Sequence, residues 1–224
     1  MIDLGGVTFH LYGLLIGIGV WLALEIAIAT QKTDRAKRLV EASFPWVLIG
    51  GIIGARAYHV IDYWGRYYSS NPIKIFYFWE GGLGIWGAII GGILAAYVYT
   101  RIKKEKFISL TDSLVVGVPL AQAVGRLGNW VNGELVGKNG EPLFAYEAAL
   151  NTLLFFVLWR VAKNKTRSGH LTGIYLVGYG LIRIILEDLR PNEIIWKYAG
   201  IPVAIIFGVV AVATGLAIIF RRRS

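Results

Sequence analysis

GRLGNWVNGELVG, residues 125–137, sets one cation, one anion, two amides and four glycines between strongly apolar segments. Residues 114–124 before it are almost wholly apolar and residues 144–159 after it nearly so, which places the polar stretch in a membrane-embedded protein. An unpaired arginine at mid-membrane costs about 2.5–3.5 kcal/mol on insertion scales, so Arg126 points to a water-filled cavity or a partner, and to function. Glycine lowers helix propensity and permits bends where protein shields the backbone, so four in thirteen residues argue against a plain lipid-facing helix. The stretch reads as the lining of a cavity near one membrane face.

Working outward, the composition agrees. A chain of 224 residues with 56% hydrophobic and 13% aromatic residues is too apolar for an ordinary soluble domain. The pattern predicts an all-α, polytopic transmembrane bundle forming a single domain over 1–224. The net charge of +9 does not indicate nucleic acid, because the cations cluster in short segments between apolar runs. Without cysteine the chain has no disulfide, no thiolate metal ligand and no cysteine nucleophile of its own. Three histidines far apart in sequence give no metal site, and nothing points to a cofactor.

Seven spans are expected, at residues 11–29, 44–63, 83–100, 110–125, 143–161, 171–186 and 200–220, the fourth and sixth being the shortest. The first is read as a retained helix rather than a signal peptide: no Lys or Arg precedes it and Glu25 interrupts it. Lys32, Arg35, Lys37 and Arg38 follow span one, and Arg101, Lys103, Lys104 and Lys106 follow span three. Arg160, Lys163, Lys165 and Arg167 follow span five, and Arg221, Arg222 and Arg223 follow span seven. Fifteen of the 23 cations thus lie on one side, which the positive-inside rule makes cytoplasmic. The amino terminus is then outside, the carboxyl terminus inside, and residues 125–137 and Arg190 at the external face.

Glycines at 50, 51, 54 and through 81–92 predict close helix packing. Gly82, Gly84 and Gly87 match a G-x-G-x-x-G string, but no strand and crossover surround it, so no dinucleotide site is read there. The segment 63–80, with Trp64, Tyr67, Pro72 and Trp79, reads as an interfacial loop. In GYGLIRIILEDLRP, residues 178–191, Arg183 and Glu187 share a helix face and Arg190 lies three further on. This is either structural ion pairing or half of an anion site. Two guanidiniums from separate segments clamp a phosphate well, since the planar fork binds its oxygens bidentately and stays charged. A phospholipid headgroup is the phosphate expected in that place.

Residues 125–137, the preceding Pro119, Tyr146 with Glu147, and G-x-Y-L-x-x-Y-G-x-x-R-x-x-x-E over 173–187 resemble the prolipoprotein diacylglyceryl transferases. LYG at 11–13, GAR at 54–56 and WEGGLGI at 79–85 extend the resemblance over nearly the whole chain. It implies a bacterial plasma-membrane enzyme with its site toward the outer face. Such an enzyme moves the diacylglyceryl group of phosphatidylglycerol to the thiol of a preprolipoprotein lipobox cysteine, forming a thioether. The resemblance makes Arg126 and Arg183 the catalytic pair that neutralises the leaving phosphate. Asn129, Asn132 and Glu134 would orient headgroup hydroxyls or those arginines. Glu134 or Tyr12 would take the thiol proton, since a thiol of pKa about 8.5 is little ionised at neutral pH. Glu187 would hold Arg183 or Arg190. Gly137, Tyr146, Glu147, Glu187, Arg190, Arg56 and Glu80 are carried over as substrate-binding positions.

The chain departs from the family pattern at Trp86, in GGLGIWG over 81–87, where many members have a histidine sometimes proposed as the base. Either that role is dispensable, which is the favoured reading, or another group such as Glu80 or His59 covers it, or the activity has diverged. The segment EPLFAYE, 141–147, also differs from the usual motif. Two other readings are a catalytically diverged phospholipid-binding protein and a small transporter, though no inverted repeat supports the latter.

Overall fold

The computed structural model describes residues 2–4, 7–9, 11–164 and 166–221, without the side chains of 2–4, 7–9 and Glu80. The sequence readings of Lys165, Arg222 and Arg223, and of the Glu80 side chain, lie outside the described residues, as does the first of the three histidines, His10. In chain order the elements are β1 (Ile2–Leu4), β2 (Val7–Phe9), α1 (Leu11–Ala29), α2 (Asp34–Asp62), α3 (Ile85–Ile102), α4 (Phe107–Leu114), α5 (Val118–Val131), α6 (Leu143–Ala162), α7 (His170–Glu187), β3 (Lys197–Tyr198), β4 (Ile201–Pro202) and α8 (Val203–Phe220). The strand pairs are short antiparallel hairpins, and the architecture is helical.

Among the described residues, α1, α2, α3, α6, α7 and α8 are each long and apolar enough to cross a membrane. The expected fourth span is instead two helices, α4 and α5, bent by 46°. They make seven crossings if the pair is one span. The break falls at 115–117, just before Pro119, whose ring removes a backbone donor from the first turn of α5. Gly117 occupies the break because a Cβ there would strike the Ala23 backbone of α1. Two of the glycines of 125–137 do not bend the chain, since α5 runs through Gly125 and Gly128; irregular backbone begins after Val131, with Gly133 in the turn at φ 68°. α2 also starts ten residues earlier than the apolar run suggests. Thr33 caps it by accepting from the Ala36 N–H, and Asp34 sits in its first turn, so Arg35, Lys37 and Arg38 are helical rather than in a loop.

The chain forms two compact units, Thr33–Leu110 and Met1–Lys32 with Thr111–Ser224. In the first, α2 and α3 pack through Gly50, Gly54, Gly87 and Gly91, where an added Cβ would meet the facing helix. The 63–80 segment folds into short helical turns with Trp64, Tyr67 and Trp79 exposed and Tyr68 buried.

In the second unit α1 packs on α5, α5 on α6, α6 on α7 and α7 on α8. Val116, Leu154, Leu158, Ala162, Leu171, Ile182 and Leu186 form its core. The start of α7 has no cap from its own segment: Gly169 precedes it at φ 91°, and Asp112 of α4 supplies the cap. That carboxylate accepts from the Gly169 N–H at 2.5 Å, the Thr172 N–H at 2.8 Å and the Thr172 hydroxyl at 2.7 Å. A carboxylate at a helix N-terminus satisfies orphan donors and complements the dipole, so this contact fixes where α7 begins and hence the height of Arg183.

Candidate functional site

Three helices of the larger unit bring charge to one end. Arg126 and Asn129 lie three apart near the C-terminus of α5, and Glu147 lies in the second turn of α6. Arg183 and Glu187 lie four apart at the end of α7, with Arg190 just beyond. The connection between α5 and α6 holds them in register. Leu135 sits at φ 61°, a conformation uncommon for a side chain other than Gly, and its carbonyl accepts from the Phe144 N–H in the first turn of α6. The Lys138 N–H donates to the Leu189 carbonyl at 2.9 Å, tying the same loop to the end of α7.

Glu147 is the hub. Its Oε1 accepts from Arg183 Nη1 at 3.0 Å and Arg190 Nη2 at 3.3 Å, and its Oε2 lies 2.6 Å from Arg126 Nε, a charge contact rather than an aligned hydrogen bond. Glu187 Oε2 accepts from Arg183 Nη2 at 3.2 Å and lies 3.6 Å from Arg190 Nε. Arg126 Nη1 donates to Asn129 Oδ1 at 2.9 Å, Asn129 Nδ2 to Glu134 Oε2 at 3.0 Å, and Asn132 Nδ2 to Glu134 Oε1 at 3.2 Å.

Burial makes this arrangement directional. The Glu147 and Glu187 side chains are 2% and 4% exposed, whereas Arg126, Arg183 and Arg190 are 25%, 15% and 18% exposed. Carboxylates therefore sit beneath and guanidiniums above. Three arginines against these two glutamates leave one formal positive charge, and a guanidinium has five donors, more than the glutamates use. Such a cluster can accept an anion from its open side, as well as serve as ion pairing between helices. A cavity of about 240 Å³ is lined by Glu187 of this cluster with Asp188, Lys138 and Lys197, and by none of the three arginines. Among the described residues no group of His, Asp and Glu is placed to hold a metal ion.

The structure thus joins Arg126, Arg183, Arg190, Asn129, Asn132, Glu134, Glu147 and Glu187 in one network. Other sequence-read positions lie apart from it. Tyr12 packs its ring where a Cβ on Gly128 would stand, next to Asn129 in sequence. Gly137 is enclosed by the Glu141 side chain and the Leu189 carbonyl, and its N–H donates to the Glu141 carbonyl at 2.7 Å. Tyr146 is exposed, although Glu147 beside it is buried. Arg56, in the smaller unit, donates to the carbonyls of Lys74, Ile75, Gly81 and Gly82 and stacks over Tyr68, so its donors organise a loop. His59 Nδ1 is 3.0 Å from the Tyr68 hydroxyl in that same unit. Glu25 is exposed on α1. Sequence reasoning passed over Gln122 and Asn151, whose one signal was an amide in the midst of an apolar run.

The prolipoprotein diacylglyceryl transferase family model matches residues 1–221. A phosphatidylglycerol–prolipoprotein diacylglyceryl transferase of Clostridioides difficile is 36% identical over 203 residues, covering 84% of this chain and 82% of that protein. The enzymes of the same name from Corynebacterium diphtheriae and Listeria innocua are 32% and 31% identical. They cover 98% and 99% of this chain and 90% and 88% of their own lengths.

Proposed function

Because the chain belongs to the prolipoprotein diacylglyceryl transferase family, we propose that it transfers the diacylglyceryl group of phosphatidylglycerol to the cysteine thiol of a preprolipoprotein lipobox. The observation that carries this reading is the convergence of Arg126, Arg183 and Arg190 over buried Glu147, where the three guanidiniums have more donors than the carboxylates beneath them accept. A phosphodiester brings one negative charge to that face.

In the transfer, the cysteine sulfur bonds to the terminal glycerol carbon of the diacylglyceryl group as that carbon's bond to the phosphate oxygen breaks. The electron pair departs with glycerol phosphate, which gains a second negative charge. Arg126 and Arg183 stabilise that charge where it develops, and Glu147 and Glu187 hold both forks beforehand so that little reorganisation is needed. The thiol proton passes to Glu134, whose carboxylate Asn129 and Asn132 orient, and from there to water. Tyr12, packed on Gly128, positions this end of α5. Gly137 and the loop that carries it border the headgroup.

The cation distribution supports an amino terminus outside and a carboxyl terminus in the cytoplasm of a bacterial plasma membrane, with the site toward the outer face. Both units act as one membrane domain. The deciding experiment is transfer from labelled phosphatidylglycerol to a lipobox peptide by purified protein, with Arg126→Ala, Arg183→Ala and a peptide Cys→Ser as controls. Thioether product from the native protein alone is expected. Lipid binding without any product would overturn the assignment in favour of a phospholipid-binding protein.

A further inference from the structure

One helical turn from Arg126 on α5 and from Glu147 on α6 stand two amides that the transfer mechanism does not use. Asn151 on α6 is 0% exposed, and neither its Oδ1 nor its Nδ2 has a hydrogen-bond partner. Gln122 on α5 donates from Nε2 to the Tyr175 hydroxyl at 3.1 Å, while its Oε1 is buried and unmatched. Asn151 follows Glu147 by four residues and Gln122 precedes Arg126 by four, so each lies on the face of its helix that carries the charge. The Arg126 to Glu147 contact sets the register of these two consecutive, oppositely directed helices. One turn deeper, about 6 Å, that register brings Gln122 level with Asn151.

Buried amides without partners are costly and rare. One amide wholly unmatched and another unmatched at its oxygen, level on facing helices beside the arginine cluster, specify a ligand by their chemistry. The unmatched atoms are two carbonyl oxygens and one amide nitrogen, so the ligand must donate and accept at one place. An ester carbonyl or a phosphate oxygen only accepts, and an ammonium only donates. A hydroxyl does both.

We propose that Gln122 and Asn151 form a hydroxyl-binding subsite beside the arginine cluster, filled by a headgroup hydroxyl of the bound lipid or by an internal water. This rests on the reading that the arginines hold the phosphate of phosphatidylglycerol. A glycerol headgroup held there by its phosphate is long enough to reach one helical turn further with its terminal hydroxyl. The subsite then distinguishes glycerol from headgroups that lack a hydroxyl.

The test compares kcat/KM for phosphatidylglycerol and for phosphatidylpropanol, which keeps the phosphate and three carbons without the hydroxyls, in the native protein and in Asn151→Leu. If the lipid supplies the hydroxyl, the ratio of the two values falls about tenfold in Asn151→Leu, the worth of one neutral hydrogen bond. If water supplies it, both values fall about tenfold and the ratio holds. Native values for both lipids with an unchanged ratio overturn the subsite. Should Asn151→Leu fail to fold, Gln122→Met is put through the same comparison and decides by the same outcomes. A native protein that makes no thioether from either lipid overturns the transferase reading instead. The subsite is then judged by mass spectrometry of the intact protein, which compares retention of the two lipids by native and variant chains, with native retention of both lipids by the variant overturning it.

Discussion

Replacing Glu147 by Gln removes one negative charge from beneath three guanidiniums while leaving the side chain almost the same size. In the native protein the two carboxylate oxygens meet Arg183 at 3.0 Å, Arg190 at 3.3 Å and Arg126 at 2.6 Å. Gln keeps a single carbonyl oxygen and turns an NH₂ group toward a guanidinium, so at least one charge-assisted contact is lost and a donor faces a donor. Hydrogen bonds to charged groups contribute about 1.5–3 kcal/mol each, and removing one partner of a buried ion pair costs about 3–5 kcal/mol. The expected destabilisation is therefore about 3–5 kcal/mol. The formal charge of the three arginines and two glutamates rises from +1 to +2, so affinity for an anionic lipid is kept or strengthened. Turnover falls about a hundredfold, because the arginine forks lose the position from which they meet the leaving phosphate. Unfolding of purified protein in lipid nanodiscs, phosphatidylglycerol binding and thioether formation are measured on the same preparation. An E147Q protein that unfolds within about 0.5 kcal/mol of native, the range of a neutral surface change, and turns over at the native rate would refute the claim that Glu147 holds the arginines.

Arg183→Lys puts one point charge where a planar fork bridges Glu147 and Glu187. It is expected to lower kcat/KM more than about tenfold, with a retained native rate counting against the bidentate role. Asp112→Ala removes the cap on α7 and is expected to cost about 1–2 kcal/mol, read as a lower unfolding temperature. Hydrogen bonds from the side chain and backbone of Asn139 hold the Glu141 carboxyl below its usual range. A depressed carboxyl contributes stability above its unfolded pKa and loses it as pH falls through the folded value. The loop over 137–141 is therefore expected to loosen only at acid pH, and Asn139→Ala to move the Glu141 titration upward by NMR. An unmoved titration would show that the amide is not the cause.

The helices were legible in the sequence because each apolar run long enough to cross a bilayer can satisfy its backbone only internally. The family was legible in residues 125–137 and 173–187, where polar groups stand in a medium that penalises them. Spacing also put Arg183 and Glu187 on one face, since residues four apart on a helix are neighbours. Only the tertiary structure decided that Glu147 is the hub. The contacts that make it so run between α5, α6 and α7, and no periodicity along one helix encodes a partner on another. The break between α4 and α5, set by the α1 backbone against Gly117, and the cap that Asp112 gives α7 are of the same kind. Asn151 is the clearest case: in the sequence it is one amide in an apolar run, and burial without a partner, a property of the packed helices alone, makes it significant.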